Sequence, residues 1–356
     1  MILKKTNNWN DWQWQLCNVI STKNELQKYL TLTKEESLAF DKPFRLPFAI
    51  TPYLLNQLVN IDAKYALRKQ FIPSISEFVK SKYFFDDPLK EDESFAVNNI
   101  IRRYDSKAIF ICTNKCAAYC RYCTRKRRTN YKMKLDLLSS INYFNSHKEI
   151  RDVLLTGGDP LTLSDEKLEE IISSLRSIKH IEILRIGTRV PVTLPMRITE
   201  KLVKMLKKYH PLYINVHFSN INEITSECIS AINMLADIGI PLGSQTVLLK
   251  DINDSADSLT KLFRKLLSIR VKPYYLYQCD KTFGCNDFYV NLDKGMNIMN
   301  TVQAHSSGLA VPHYVVDVPG KIGKCIVGPC NIREKSNTKI LLNKENFDYE
   351  YYNIIQ

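Results

Sequence analysis

Six short apolar runs recur between residues 108 and 304, with longer segments between them, and no other feature restricts the fold as much. Ala108–Cys112, Val153–Thr156, Ile181–Ile186, Leu212–His217, Leu242–Leu248 and Lys272–Tyr277 read as strands. Ser164–Ile178, Thr199–Lys208, Asn222–Leu235, Asp254–Leu267 and Asp293–Ala304 read as helices. Strands that alternate with helices argue for an α/β fold with a parallel sheet. Right-handed crossovers then curl six such units into a partial (β/α)6 barrel. Sites in barrels of this kind form from the loops at the carboxyl ends of the strands. Residues 1–105 read as a helical N-terminal extension covering one side of that barrel, residues 106–318 as the barrel, and 319–356 as a short C-terminal tail. Within the extension, Asn10–Trp14, Ser21–Leu26 and Thr33–Glu36 offer helix starts. Pro43, Pro47 and Pro52 punctuate a packed loop that leads to a helix at 53–60.

The 45% share of hydrophobic residues supports a well-buried core and excludes intrinsic disorder. No run of eighteen apolar residues suggests a transmembrane helix, and MILKKTNNWNDWQWQL lacks the apolar core of a signal peptide. Ten cysteines with no export signal read as reduced thiols, some of them metal ligands, in a reducing cytoplasm. The net charge of +13 would suit nucleic acid or an acidic partner. However, Lys201, Lys204, Lys207 and Lys208 illustrate basic residues scattered on a helical face, and no nucleic-acid motif accompanies them.

The stretch Cys116-Ala-Ala-Tyr-Cys120-Arg-Tyr-Cys123 follows the first strand. Three thiolates at this spacing can hold three irons of a [4Fe-4S] cluster and leave the fourth open. Zinc usually takes four ligands in paired C-x2-C spacings, and no clean second pair follows. The stretch resembles the signature of the radical S-adenosylmethionine (SAM) enzymes. That resemblance implies a radical-SAM barrel whose open iron binds the amino and carboxylate groups of SAM. The next strand ends in Thr156-Gly157-Gly158-Asp159, where two glycines let backbone approach a ligand and Asp159 offers a carboxylate. His217, Gln245, Asp280 and Asp317 also lie in or just after apolar runs.

RYDSKAIFICTNKCAAYCRYCTRKRR, LLTGGDPL, IGTRVPVTLP, NVHFSNINEIT, GIPLGSQTVLL, PYYLYQCD, AVPHYVVDVPGKIGK and the opening WQWQL together resemble the lysine 2,3-aminomutase family, over roughly residues 9 to 330. The resemblance implies an isomerase that uses a [4Fe-4S] cluster, SAM and pyridoxal 5'-phosphate (PLP) to move an amino group between the α and β carbons of an amino acid. By position, Cys116, Cys120 and Cys123 match the cluster ligands and Lys324 the lysine that carries PLP. Arg103, Tyr104 and Gln245 match residues around PLP, and Gly157, Gly158, Asp159 and His217 match the SAM surroundings. Arg125 matches the residue that holds the substrate carboxylate. Asp280 and Asp317 match the two carboxylates that hold the side-chain ammonium. Lys321 is the rival for Lys324, three residues earlier.

A lysine amine reacts with an aldehyde only when unprotonated, so neighbouring positive charge or burial is expected at Lys324. Paired acids at one end and a guanidinium at the other suit a dibasic amino acid, lysine first and arginine as the alternative. The resemblance further implies a reductant protein such as flavodoxin or ferredoxin and a homo-oligomer. Shorter members of the fold that act on lysine attached to elongation factor P supply a second reading, which the basic charge suits. Lys107 stands where relatives have Arg at a PLP-phosphate contact, and Ser255 where they have a zinc-binding cysteine. The expectation is therefore that no structural zinc site is present, with Cys325 and Cys330 inert and Cys112, Cys279 and Cys285 without assigned roles.

Overall fold

The computed structural model describes residues 7–60, 66–129, 133–328, 331–336, 338–344 and 347–354. Five short helices open the chain: α1 (Trp12–Cys17), α2 (Lys23–Gln27), α3 (Lys34–Phe40), α4 (Pro52–Asn60) and α5 (Ala66–Phe71). Thr22 with Glu25 and Thr33 with Glu36 each form a reciprocal capping box, in which the threonine oxygen and the glutamate carboxylate accept first-turn N–H groups. Ile20, Leu26, Ile50, Leu54, Leu55, Leu67 and Phe71 form a small separate core for these helices. Ala118 of the cysteine loop is buried in that core. The N-terminal extension therefore grips the loop directly.

The main sheet runs β1 (Phe95–Val97), β2 (Ile100–Ile101), β3 (Lys107–Thr113), β4 (Asp152–Gly157), β5 (Ile183–Thr188), β6 (Leu212–His217), β7 (Leu242–Leu248), β8 (Val271–Gln278), β9 (His313–Val318) and β10 (Gly323–Ile326), in sequence order. Pairing is parallel from β3 through β9 and antiparallel at both ends. Crossover helices α6 (Leu137–Ser146), α7 (Asp165–Arg176), α8 (Val190–Thr193), α9 (Glu200–Lys207), α10 (Ser226–Asp237), α11 (Ala256–Ser268) and α12 (Leu292–Ala304) connect these strands. In α7, Leu168, Ile171, Ile172 and Leu175 are buried on one face, the spacing that seats a helix on a sheet. Ser255 accepts the Ser258 N–H as the N-cap of α11. Lys201, Lys204 and Lys208 pair with Glu166, Glu200 and Glu169 at the surface, so the basic face of α9 is a solvated, ion-paired one. Among the described residues, no helix is long and apolar enough to cross a membrane.

Three features differ from the sequence expectation. The helix α6 completes the first βα unit behind Asp136, whose side chain caps it, although Leu-Leu-Ser-Ser-Ile-Asn-Tyr-Phe-Asn-Ser is a weak helix former. The strand β9 adds a seventh parallel strand. Part of the short tail is an antiparallel sheet of β11 (Ile332–Lys335), β12 (Lys339–Lys344) and β13 (Phe347–Tyr352). Ile340, Leu342 and Tyr351 bury its inner face, and the Tyr351 hydroxyl donates to Tyr289 at 3.1 Å. Cys330 lies outside the described residues, and Cys325 is a buried free thiol.

The two ends of the sheet come together around the site. Arg103, just past β2, donates from Nε to the Gly320 carbonyl at 2.8 Å and also to the Val318 carbonyl. The Tyr104 hydroxyl accepts the Lys324 N–H at 2.9 Å. Strands remote in the sheet order are thus bridged by side chains, and the sheet curls without closing.

Candidate active site

The cysteine loop leaves β3 and is fixed from three sides. Arg121, 1% exposed, donates from Nε and Nη2 to the Glu77 carboxylate at 2.8 and 2.6 Å and from Nη1 to the Pro47 carbonyl at 3.0 Å. Its backbone N–H donates to the Gln70 carbonyl at 2.7 Å, and the Tyr119 N–H to Ala49 at 3.2 Å. The guanidinium of Arg189 donates to Cys120 Sγ at 2.6 Å and lies 3.2 Å from Glu223. Burial disfavours the Arg189 charge, but Cys120, Tyr122 and Glu223 outweigh it and raise its pKa. None of these pins, Arg121, Glu77 or Arg189, is apparent from sequence spacing, because their partners are distant in the chain.

Burial, then Asp159 and the sister thiols, push the Cys116 thiol well above its ordinary pKa, and burial pushes Cys123 to about 11. Three adjacent thiolates need a compensating positive charge, which iron supplies. Among the described residues, no three His, Cys, Asp or Glu side chains converge as ligands of a single ion. A cluster assigns each thiolate to a different iron.

Gly157 and Gly158 have a steric reason. A Cβ on Gly157, whose φ is +124°, would sit 2.3 Å from the Thr113 carbonyl oxygen, and one on Gly158 would sit 2.2 Å from that of Lys115. The Gly158 and Asp159 N–H groups donate to those same carbonyls at 2.6 and 2.8 Å. The pair therefore locks β4 onto the start of the cysteine loop. Gly158→Ala is expected to destabilise the fold by about 1–3 kcal/mol and to lower the iron retained after reconstitution, read by thermal unfolding and iron assay. The Asp159 carboxylate turns inward and accepts from the Thr188 hydroxyl at 2.7 and 2.9 Å and from the Leu161 and Arg189 N–H groups at 3.1 and 2.6 Å. Burial raises its pKa. Its carboxylate orders the β4 and β5 loops rather than standing free for a ligand.

His217 ends β6 opposite Gln245 of β7. Burial, then repulsion by Arg189 and Arg125, lowers its pKa to about 4, so the imidazole is neutral at pH 7. Gln245 donates to the Tyr277 hydroxyl at 3.4 Å, and Tyr277 in turn faces Lys324, whose Nζ is 5.7 Å from the ring centre.

Lys324 lies on β10 directly across from Asp317 of β9, its Nζ 3.8 Å from the carboxylate. Arg103 Nη1 approaches the other oxygen of Asp317 at 2.9 Å. The neighbouring positive charge or burial expected at Lys324 is present, in Arg103 and in a half-buried side chain, yet neither leaves the amine unprotonated. Burial lowers its pKa and Arg103 adds to that, but Tyr277, Asp317 and Tyr104 outweigh both, so the amine carries its proton. Lys107, Lys324 and Lys344 place their Nζ atoms 5.0, 5.8 and 5.6 Å from the Tyr104 ring centre. Three ammoniums around one ring suit a phosphate-bearing ligand. Lys344 belongs to the C-terminal sheet, and no sequence signal pointed to it. Lys321 is exposed.

Asp280 follows β8 and accepts from the Thr124 hydroxyl, one residue past Cys123, at 2.7 Å. Backbone hydrogen bonds of 2.8 Å between Phe85 and the Lys281 and Phe283 backbone hold its loop. Burial and then the Asp317 charge raise its pKa to about 7. The two acids thus sense one another, and the cluster loop is tied to one of them. Arg125 is also in this region, but its guanidinium is already engaged. Its Nε lies 3.2 and 3.1 Å from the two oxygens of Glu91, and its Nη2 lies 2.7 Å from one of them. Glu91 was not among the residues singled out from the sequence.

The Radical SAM superfamily model matches residues 110–263, and the Lysine-2,3-aminomutase model matches residues 299–350. An L-lysine 2,3-aminomutase of Clostridium subterminale is 45% identical over 339 residues, spanning 94% of this chain and 82% of that protein. One from Methanococcus maripaludis is 44% identical over 344 residues, spanning 94% of this chain and 79% of that protein. A glutamate 2,3-aminomutase of Clostridioides difficile is 40% identical over 340 residues, spanning 94% and 80%.

Proposed function

The chain belongs to the lysine 2,3-aminomutase family, and from that premise we propose that it isomerises L-lysine to β-lysine by moving the amino group from carbon 2 to carbon 3. Relatives of similar identity are named for lysine and for glutamate, so identity alone leaves the substrate open. The observation that carries the choice is the acid pair, Asp280 and Asp317, near enough that the second raises the pKa of the first. Two carboxylates sharing a buried site repel unless cations sit with them, and Arg103 and Lys324 sit with Asp317, whereas Asp280 has no ion-pair partner among the described residues. The ε-ammonium of lysine is such a cation, whereas the side-chain carboxylate of glutamate would add to the repulsion.

The residues fit the cofactors the family implies. Cys116, Cys120 and Cys123 would hold the cluster; Lys324 would tether PLP, with Lys107 and Lys344 toward its phosphate. Gly157, Gly158, Asp159 and His217 border the SAM side, and Arg103, Tyr104 and Gln245 the PLP side. When bound, the cluster with SAM supplies a radical initiator, and PLP supplies a π system that delocalises the unpaired electron during nitrogen migration. The chain supplies placement. Asp280 and Asp317 hold the ε-ammonium and Arg125 the carboxylate, fixing the carbon 2–carbon 3 segment between them. Neutral His217 neither gains nor loses a proton at pH 7, so it can order its surroundings without adding charge. Tyr277 and Tyr104 wall the Lys324 amine with aromatic surface and limit water there.

A one-electron donor such as flavodoxin or ferredoxin, a homo-oligomeric state and a reducing cytoplasm complete the reading. The test is anaerobic incubation of reconstituted enzyme with SAM, PLP, dithionite and L-lysine, with β-lysine read by mass spectrometry. Product is expected. An intact cluster with bound PLP and no product would overturn the free-lysine reading and turn the same assay to arginine and to lysylated elongation factor P.

A further inference from the structure

Glu91 is 1% exposed and begins a short turn, with its own N–H and that of Asp92 donated to the two oxygens of Asp87 at 3.1 and 2.8 Å. A carboxylate buried this deeply is stable as an anion only if paired. Burial works against its charge, but Arg125, Arg127 and Arg103 prevail and hold its pKa below the usual range. Arg127 is itself fixed by Asp87 at 2.7 Å and Asp92 at 3.1 Å, so the acidic turn 87–92 and the basic segment after Cys123 form one rigid clasp.

The geometry within that clasp is specific. A guanidinium has a side-on edge, made by Nε and one Nη, and an end-on edge, made by the two Nη atoms. Glu91 takes the side-on edge of Arg125 through Nε and Nη2. Among the described residues, Nη1 has no hydrogen-bond partner. Thr124, the residue before Arg125, donates to Asp280 at 2.7 Å, so the clasp adjoins that acid, and the Arg125 charge also reaches His217 as the Glu91 charge reaches Asp280. Building on the substrate reading above, we propose that Glu91 is a positioning residue for carboxylate recognition. It locks the rotation of Arg125 so that only the end-on edge is presented, and the amino-acid carboxylate docks there through Nη1 and the remaining Nη2 hydrogen. Without Glu91, the side-on edge becomes available and Arg125 loses its fixed orientation.

The test compares lysine with 1,5-diaminopentane, which is lysine without its carboxylate, on reconstituted enzyme carrying cluster and PLP but no SAM. In Glu91→Gln, lysine is expected to bind about tenfold more weakly, while the diamine changes by less than about twofold because it does not use Arg125. With SAM present, the lysine KM rises while kcat at saturation stays within about threefold, and cluster absorbance is unchanged. Glu91→Asp, which keeps the charge but withdraws it by one methylene, is expected to show the same selective loss and serves if the glutamine variant does not fold. Parallel weakening of both ligands, or unchanged lysine affinity, would overturn the proposal. Wild-type enzyme that binds no lysine would overturn the substrate reading on which it rests, a result separable from the other two.

Discussion

Lys324→Ala enzyme is expected to lose lysine isomerisation to below about a thousandth of wild type, to lose PLP absorbance, and to keep its cluster colour and iron content. The backbone contacts at this position do not depend on the side chain. The N–H donated to the Tyr104 hydroxyl at 2.9 Å and the pairing with Asp317 across β9–β10 both survive an alanine. What disappears is the amine beside Asp317 and the Tyr104 and Tyr277 rings. In the structure, that ammonium sits by the same carboxylate proposed to receive the substrate ammonium, 3.8 Å away. Lys324 and Arg103 thus both offset the Asp317 charge. Lys321→Ala, at the exposed neighbour, is expected to leave turnover unchanged. Isomerisation retained in Lys324→Ala would remove Lys324 from the site.

Asp280→Asn should separate function from stability. Burial and the Asp317 charge raise the Asp280 pKa to about 7, against an unfolded value of about 3.9. Between about pH 4 and 7 the unfolded chain has released this proton while the folded protein retains it. The folded state binds more protons across that window, so this group makes stability fall as pH rises through it. Asparagine removes the titration and the like-charge repulsion, so the variant is expected to melt higher than wild type at pH 8 and to show a flatter decline from pH 4 to 7. The Thr124 hydroxyl, which donates to Asp280 at 2.7 Å, can still donate to the amide oxygen. Lysine turnover moves the opposite way, with kcat/KM falling about a hundredfold or more because one of the two charges facing the ε-ammonium is gone. In wild type, lysine binding is expected to release a proton below pH 7 and to tighten as pH rises toward that value. Equal kcat/KM in the two proteins would exclude Asp280 from substrate contact.

The alternation of strands and helices was legible in the sequence because side-chain periodicity records which face of each element is buried. Most of the parallel strands and their order follow from it, and the helix starts near Thr22 and Thr33 and the C-x3-C-x2-C loop after β3 were legible as local motifs, whereas the reciprocal capping boxes emerged only in the structure. The helix α6 was illegible because Asn and Ser dilute its apolar face. The C-terminal sheet was illegible because its short strands carry Lys, Asn, Glu and Asp among few buried residues. The motif glycines could be found from sequence, but their reason is tertiary: Gly158 faces the Lys115 carbonyl of a different strand-loop at a distance no Cβ tolerates. The same holds for charge. A sequence names Lys324, Arg125 and Asp280, yet the proton on Lys324, the edge of Arg125 that remains open and the raised pKa of Asp280 are set by Asp317, Glu91 and burial. Spacing along a chain fixes local conformation, whereas protonation and donor occupancy depend on which charges the fold brings within a few ångströms and how much water it removes between them.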